Sequence, residues 1–313
     1  MVSLSEKINS KKKLFKLILG AGKKDAEEVK RITSIFAKAG ADIFDVNPSR
    51  EVLDAVIRAV SECGYKTEDF LYCVSYSVKG DIHGNKAEID LKKCSRCGKC
   101  AEVCPEGAIS LIEGNPVVDE KNCIGCGKCA CDAISYSIHS SQIDWINFND
   151  IVKNYPISLV ELHIATPDRD EIFDKWQFLL DNFKGYFSIC VNRSLFSDDE
   201  LKALLKKMIS MTDKERVFIQ ADGVPMSGGL NTYGATLQAV ACAGLLADLG
   251  AGIFISGGTN ERTSELAKIC SVPYVGVSIG SYARKLIKDK KFADALKQAK
   301  KLVSVVKDER KCN

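Results

Sequence analysis

No stretch of this chain has enough consecutive apolar residues to cross a bilayer as a helix, which excludes a membrane span of that kind. Neither sign of charge dominates: 44 Lys+Arg stand against 41 Asp+Glu, a formal net charge of +3. That balance gives no electrostatic reason to expect nucleic acid or a membrane surface as partner. The opening residues, MVSLSEKINSKKKLFKLILGAGK, contain lysines but lack the continuous apolar core of a secretion signal, because Lys16 interrupts the short run. A cytoplasmic protein is therefore expected. Against that background the chain is rich in cysteine, with 14 in 313 residues. Where thiols stay reduced, dense cysteine points to metal rather than to disulfides. A four-thiolate iron–sulfur cluster carries about −2 when oxidised, so two of them shift the balance from +3 to roughly −1.

An apolar fraction of 46% is enough for a sizeable core. Short apolar runs alternate with amphipathic helical patterns. The strand candidates are KLILGA (16–21), DIFDVN (42–47), FLYCVSYS (70–77), ISLVELHIA (157–165), YFSICV (186–191), RVFIQA (216–221), GIFISG (252–257) and YVGVSI (274–279). Between them, DAEEVKRITSIFAKAG runs from a charged first turn to Gly40, and SREVLDAVIRAVSECG has Ser49 as N-cap and ends at Gly64. Eight such units predict a closed (β/α)8 barrel of the TIM type. A doubly wound open sheet is the alternative that the same alternation allows.

One interval breaks the rhythm. About eighty residues separate the third and fourth strands, far beyond an ordinary βα connection. The expected division is a barrel of 1–80 and 148–313, with a ferredoxin-type insert at 81–147. Removing the insert leaves 246 residues, close to the ~250 typical of one barrel. The insert occupies a βα loop, and such loops lie on the ligand-binding face of a barrel.

The insert is an internal repeat. CSRCGKCAEVCPEGAISL (94–111) and CIGCGKCACDAISYS (123–137) align with a period of 29 residues. The first is a complete C-x2-C-x2-C-x3-C-P run, in which three thiolates wrap one cluster and the fourth reaches the other. By that rule Cys104 joins Cys123, Cys126 and Cys129. Cys94, Cys97 and Cys100 then need a fourth ligand from the second run, where Cys131 is the candidate. The second run is shortened, since Cys131 follows Cys129 after a single residue and no proline comes next. The shortening moves Cys131 by several ångströms unless the loop adapts. Two [4Fe-4S] clusters are the expectation, with one intact and one lost cluster as the alternative and His139 as a substitute ligand. A structural zinc site fits less well, because zinc takes four ligands and the repeat offers eight cysteines. Of the cysteines outside the insert, Cys63, Cys73, Cys190, Cys242, Cys270 and Cys312, most read as small core residues, and Cys312 lies in a charged tail.

Polar residues gather at the strand ends. SGGTN (256–260) and IGSYAR (279–284) close strands seven and eight, the usual phosphate position of such barrels. Gly257, Gly258, Gly280 and Ser281 are the candidate anion-binding residues, for a phosphate-containing ligand. Tight turns are the alternative use of those glycines. Asp45 and Asn47, Glu161 and His163, and Gln220 and Asp222 are pairs two apart, so each pair shares a face of its strand. Glu161, His163 and Asp222 are the candidate catalytic residues, able to orient a ligand or move protons. Asn192 and Arg193 follow strand five. Mutual hydrogen bonding inside the barrel explains any single one of these residues equally well. The loop DGVPMSGGLNTYG (222–234) is long and glycine-rich, as a lid would be.

QADGVPMSGG, SGGTN and GSYARKL, downstream of a two-run ferredoxin insert that follows KLILGAG and ADIFDVNPS, resemble the light-dependent period protein family, LdpA, first known from cyanobacteria. The resemblance covers nearly the whole chain. It implies an iron–sulfur protein that senses cellular redox state and feeds it to the circadian clock, with cluster cysteines at Cys94, Cys97, Cys100, Cys104, Cys123, Cys126 and Cys129. It implies no particular catalytic reaction. Two functions follow. In one, a redox sensor or relay exchanges electrons with a redox partner protein or a small-molecule donor or acceptor and signals to a regulatory protein partner. In the other, an oxidoreductase passes electrons to a phosphate-bearing cofactor or substrate, flavin among them, at the barrel mouth.

Overall fold

The computed structural model describes residues 12–19, 25–78, 85–104, 107–120, 122–123, 127–138, 143–223 and 232–307. In chain order the strands are β1 (Leu14–Ile18), β2 (Ile43–Val46), β3 (Leu71–Ser77), β4 (Asn85–Ile89), β5 (Ile109–Ile112), β6 (Asn115–Val118), β7 (Ile134–Ile138), β8 (Ile157–His163), β9 (Tyr186–Val191), β10 (Val217–Asp222), β11 (Gly252–Ser256) and β12 (Gly276–Ile279). Eight of them close into a parallel barrel in the order β1-β12-β11-β10-β9-β8-β3-β2. All eight expected strands are present and the sheet is closed, so the open doubly wound alternative is excluded. β1 begins two residues earlier than its apolar run suggests. Leu14 and Phe15 already pair with Gly276 and Val277, and the lysines just before them hide the start of the strand.

The helices form for the reasons their ends announce. Asp25 accepts the backbone N–H groups of Glu27 and Glu28 at the start of the helix Ala26–Ala39, and Gly40, left-handed at φ 95°, ends it. Ser49 Oγ accepts the Val52 N–H at 3.3 Å to open the helix Arg50–Glu62. Their apolar faces pack on the outward residues of the barrel wall, among them Phe15, Leu17, Phe44, Val74, Ile189 and Ile219, to make one continuous core.

Inside the barrel the layers differ in chemistry. At the N-terminal end Leu14, Ile43, Leu71, Cys73, Leu159, Phe218 and Phe254 form a second, separate apolar cluster. Gly276 makes room for it, because a Cβ there would stand 2.6 Å from both the Phe254 ring and the Leu14 carbonyl oxygen. Above this plug the inward residues turn polar and charged.

The insert follows β3. β4 pairs antiparallel with β7, and β5 with β6 through Glu113 and Gly114, both left-handed (φ 51° and 76°), as a two-residue hairpin loop requires. The barrel closes past the insert without a gap, since β3 and β8 pair from Tyr72 to Ser77. The chain re-enters through Trp145. Its indole N–H donates to the Ser77 carbonyl at 2.9 Å, and its ring packs against Tyr76, Phe148 and Phe178.

Candidate functional site

Two groups of side chains carry chemistry. The first is the polar filling of the barrel. Lys16 lies in the middle of β1 and is 1% exposed. Its ammonium reaches Glu161 Oε2 at 2.5 Å, Asp45 Oδ2 at 2.8 Å and Gln220 Oε1 at 2.9 Å. Glu161 is wholly buried and is the hub. Its Oε2 also accepts from Ser188 Oγ at 2.7 Å, and its Oε1 accepts from Gln220 Nε2 at 2.9 Å and meets His163 Nε2 at 2.9 Å. Ser75 Oγ donates to Asp45 Oδ1 at 2.6 Å. One layer nearer the mouth, Cys190 Sγ donates to Asp222 Oδ2 at 3.6 Å and accepts from Gln220 Nε2 at the same distance. The buried oxygens without a hydrogen-bond partner include Asp222 Oδ1, Ser77 Oγ and Ser278 Oγ in the barrel strands.

These contacts set the protonation of the layer. Burial works against the Lys16 ammonium, but Asp45 and then Glu161 outweigh it and hold its pKa well above the usual lysine value. Burial pushes Glu161 up, and Lys16 with His163 more than reverses that, so it stays ionised far below the carboxylate range. His163 is pushed down by burial and pulled up to about 8 by the Glu161 carboxylate. Asp222 has no lysine beside it, and burial raises it to about 7 against the opposing pull of Ser256 and His163.

The candidate catalytic residues Glu161, His163 and Asp222 therefore come together, and Asp45 and Gln220 join them. Asn192 and Arg193 do not. Asn192 caps its own turn through Ser194, and Arg193 pairs with Asp198 at 2.8–2.9 Å. Sequence reasoning missed Lys16, Ser188 and Cys190. Their signal was position: each is an inward residue of a strand whose alternate residues pack outward, as Lys16 does between Phe15 and Leu17.

The glycines after β11 have a packing role. Gly257 and Gly258 are left-handed (φ 67° and 84°). A Cβ on Gly257 would stand 2.6 Å from the Gly223 backbone nitrogen, and one on Gly258 would stand 2.5 Å from Ala235 Cβ, in the helix Thr232–Leu246. Close backbone approach thus accounts for glycine at both positions without an anion. Gly280 precedes the helix Ser281–Ile287, and Ser281 Oγ accepts from Arg284, which also donates to the Ile18 carbonyl at the end of β1. Most of the glycine-rich segment 222–234, including residues 224–231, lies outside the described residues.

The second group is the insert's thiols. Cys94, Cys97, Cys100, Cys104, Cys123, Cys129 and Cys131 form no disulfide; Cys126 and His139 lie outside the described residues. Backbone N–H groups point at the sulfurs: Arg96 N–H donates to Cys94 Sγ at 3.3 Å, Ala108 N–H to Cys104 Sγ at 3.2 Å, and Ala87 N–H to Cys123 Sγ at 3.4 Å. The Tyr136 hydroxyl lies 3.1 Å from Cys129 Sγ. Backbone and hydroxyl hydrogen bonds lower the Cys97 thiol below its ordinary value, led by the Lys99 N–H. Cys104 and Cys129 pack around Cys123 in one small cluster, which draws the last cysteine of the first run to the second run.

The two runs are tied across a local two-fold. Asp119 N–H donates to Ala108 O at 2.8 Å, and Asp90 N–H donates to Ala133 O at 2.9 Å, so the end of each run is fastened to the start of the other. Asp90 O then accepts the Cys94 N–H at 3.0 Å, and Asp119 O accepts the Cys123 N–H at 2.9 Å. The second run keeps this tie despite its shorter path. Thiolate donors, amides aimed at sulfur and crossed runs are a set that suits iron–sulfur ligation.

A TIM-like barrel that carries a 4Fe-4S binding motif in the loop after its third strand defines an iron–sulfur protein of the barrel class. The 4Fe-4S binding domain matches residues 87–110, and the Light dependent period A C-terminal domain matches residues 151–310. The chain belongs to the light dependent period A family. Among curated proteins none matches it. Solved structures share the fold at low identity. Tryptophan synthase from Mycobacterium tuberculosis, in its aminoacrylate- and BRD0059-bound form, is 13% identical, with 96% of each chain covered and a TM-score of 0.51. The same enzyme in space group F222 is 12% identical over 96% of each chain, with a TM-score of 0.50. (S)-3-O-geranylgeranylglyceryl phosphate synthase from Thermoplasma acidophilum is 13% identical over 98% of this chain and 100% of its own, with a TM-score of 0.47. The two tryptophan synthase likenesses speak to the fold alone. Among the described residues no helix is long and apolar enough to cross a membrane.

Proposed function

We propose that this protein is a redox sensor or relay with two [4Fe-4S] clusters. One is held by Cys94, Cys97, Cys100 and Cys131, the other by Cys104, Cys123, Cys126 and Cys129. The observation that carries this reading is the symmetric tie of Asp90 to Ala133 and Asp119 to Ala108, because it keeps the second run's end against the first run's start. Bound clusters supply reversible one-electron chemistry. The chain's own groups tune it: the amides of Arg96, Ala87 and Ala108 donate to thiolate sulfur and favour the more negatively charged, reduced state. Cys97 and Cys131 are exposed whereas Cys123 is buried, so a redox partner protein or a small-molecule donor meets the first set of ligands. An anaerobic redox titration followed by visible absorbance is expected to give two reversible one-electron steps. A chain that shows no reversible step contradicts the reading.

A second reading is an oxidoreductase acting on a ligand in the barrel mouth, a phosphate-bearing cofactor or substrate held by Gly257, Gly258, Gly280 and Ser281. The observation in its favour is the charged inner layer with its partnerless oxygens at Asp222, Ser77 and Ser278. Flavin released from the purified protein supports this second reading over the first.

A further inference from the structure

Two triads of metal-ligating side chains lie inside the barrel, with their donor atoms within 4.8 Å of one another: Asp45, Cys73 and Glu161, and Glu161, His163 and Cys190. They are not equivalent. The first surrounds the Lys16 ammonium, which Asp45 Oδ2 and Glu161 Oε2 accept at 2.8 and 2.5 Å. A built-in cation already fills that position. The second lies one layer closer to the mouth and has no lysine in it. Its members come from two neighbouring strands, Glu161 and His163 from β8 and Cys190 from β9, and His163 and Cys190 are register partners.

Asp222 flanks the second group on its Cys190 side, outside the three donors that lie within 4.8 Å of one another. It ends β10, is 5% exposed, and holds Oδ2 at 3.6 Å from Cys190 Sγ. Its other oxygen, Oδ1, is buried with no hydrogen-bond partner. A buried carboxylate oxygen left without a donor is costly, and a cation is the simplest remedy. The charges agree. Asp45, Glu161 and Asp222 are three carboxylates facing one lysine and one imidazole; Lys16 is committed to the first two, and His163 serves the ion as its neutral form. The spacing agrees at the Cys190–Asp222 pair. Ligand bonds of about 2.3 Å to sulfur and about 2.0 Å to oxygen at a tetrahedral angle put the two donors about 3.5 Å apart, close to the 3.6 Å between Cys190 and Asp222. The side chain of His163 is 15% exposed, so the group is not sealed from solvent.

We propose that Glu161, His163, Cys190 and Asp222 form a mononuclear site for a divalent metal ion, distinct from the iron–sulfur insert. One imidazole, one thiolate and two carboxylates form a mixed donor set of borderline softness, for which Zn²⁺ is the best match. The ion takes the hydrogen-bonding place between His163 and Glu161 Oε1 and supplies the partner that Asp222 Oδ1 lacks. Binding releases the Cys190 proton, since thiolate is the ligand.

The test uses the full chain with its clusters loaded, treated with a zinc chelator and then with one equivalent of ZnCl₂. Elemental analysis after desalting is expected to find about one zinc per chain. The zinc X-ray absorption edge is expected to show one sulfur neighbour and three nitrogen or oxygen neighbours at the distances above. Cys190→Ala and His163→Ala should each abolish zinc retention and leave the acid-labile sulfide count at the wild-type value. Failure to retain zinc, a shell of three or four sulfurs, or undiminished zinc in Cys190→Ala overturns the proposal. Iron and sulfide are counted on the same samples, so loss of the insert's clusters is distinguished from loss of this site.

Discussion

Replacing Lys16 with methionine is expected to destabilise the barrel by about 3–5 kcal/mol, the cost of breaking a buried ion pair from one side. Methionine keeps most of the volume, so the loss is electrostatic. Lys16 is 1% exposed, and it is the cation between Asp45 and Glu161, themselves 2% and 0% exposed. Without it two carboxylates remain in a water-poor interior. Glu161 keeps the Ser188 and Gln220 donors and the His163 imidazole, whereas Asp45 keeps only Ser75 and loses its countercharge. The double variant Lys16→Met/Glu161→Gln should recover part of the loss, because it removes the orphaned charge along with its partner. Urea unfolding followed by circular dichroism reads both effects. A Lys16→Met chain that unfolds at the wild-type urea concentration contradicts this account of the inner layer.

Cys131→Ser is expected to halve the iron content, from about eight to about four atoms per chain, with acid-labile sulfide falling in step. Serine removes one thiolate and hardly alters the local volume, so the Ile134 N–H to residue 131 carbonyl bond of 2.9 Å and the Asp90 to Ala133 tie can persist. Cys97→Ser should give the same half-loss, since the proposed ligand set contains both. Cys270→Ser, at an exposed cysteine outside the insert, should change nothing. Full iron in Cys131→Ser would mean that another group, such as His139, closes that set.

Much of this was legible in the sequence because period and punctuation agreed. Eight apolar runs separated by capped amphipathic helices specify a barrel, and Asp25, Gly40 and Ser49 act at helix ends as their side chains and conformations dictate. Glu161 with His163, and Gln220 with Asp222, were found because residues two apart share a strand face. Lys16 was passed over for a physical reason. A lysine in an apolar run reads as an interruption, whereas inside a barrel its charge is matched by carboxylates from strands far away in sequence, 29 and 145 residues along. Cys190 reads as a small apolar residue until β8 and β10 bring His163 and Asp222 beside it. The glycines at 257 and 258 misled in the other direction. Their conformation was predictable, but their close approach to Gly223 and Ala235 depends on how β10, β11 and a helix pack. The tie between the two cysteine runs was likewise invisible, because it is made by backbone groups of Asp90, Ala108, Asp119 and Ala133 rather than by side chains.

The central claim is that the shortened second run still completes two clusters. Its most direct test is an iron and acid-labile sulfide count on anaerobically purified protein, with electron paramagnetic resonance of the dithionite-reduced sample. About eight irons and eight sulfides per chain with a spin-coupled signal are predicted. About four of each with one simple signal would contradict the claim and leave a single cluster in the insert.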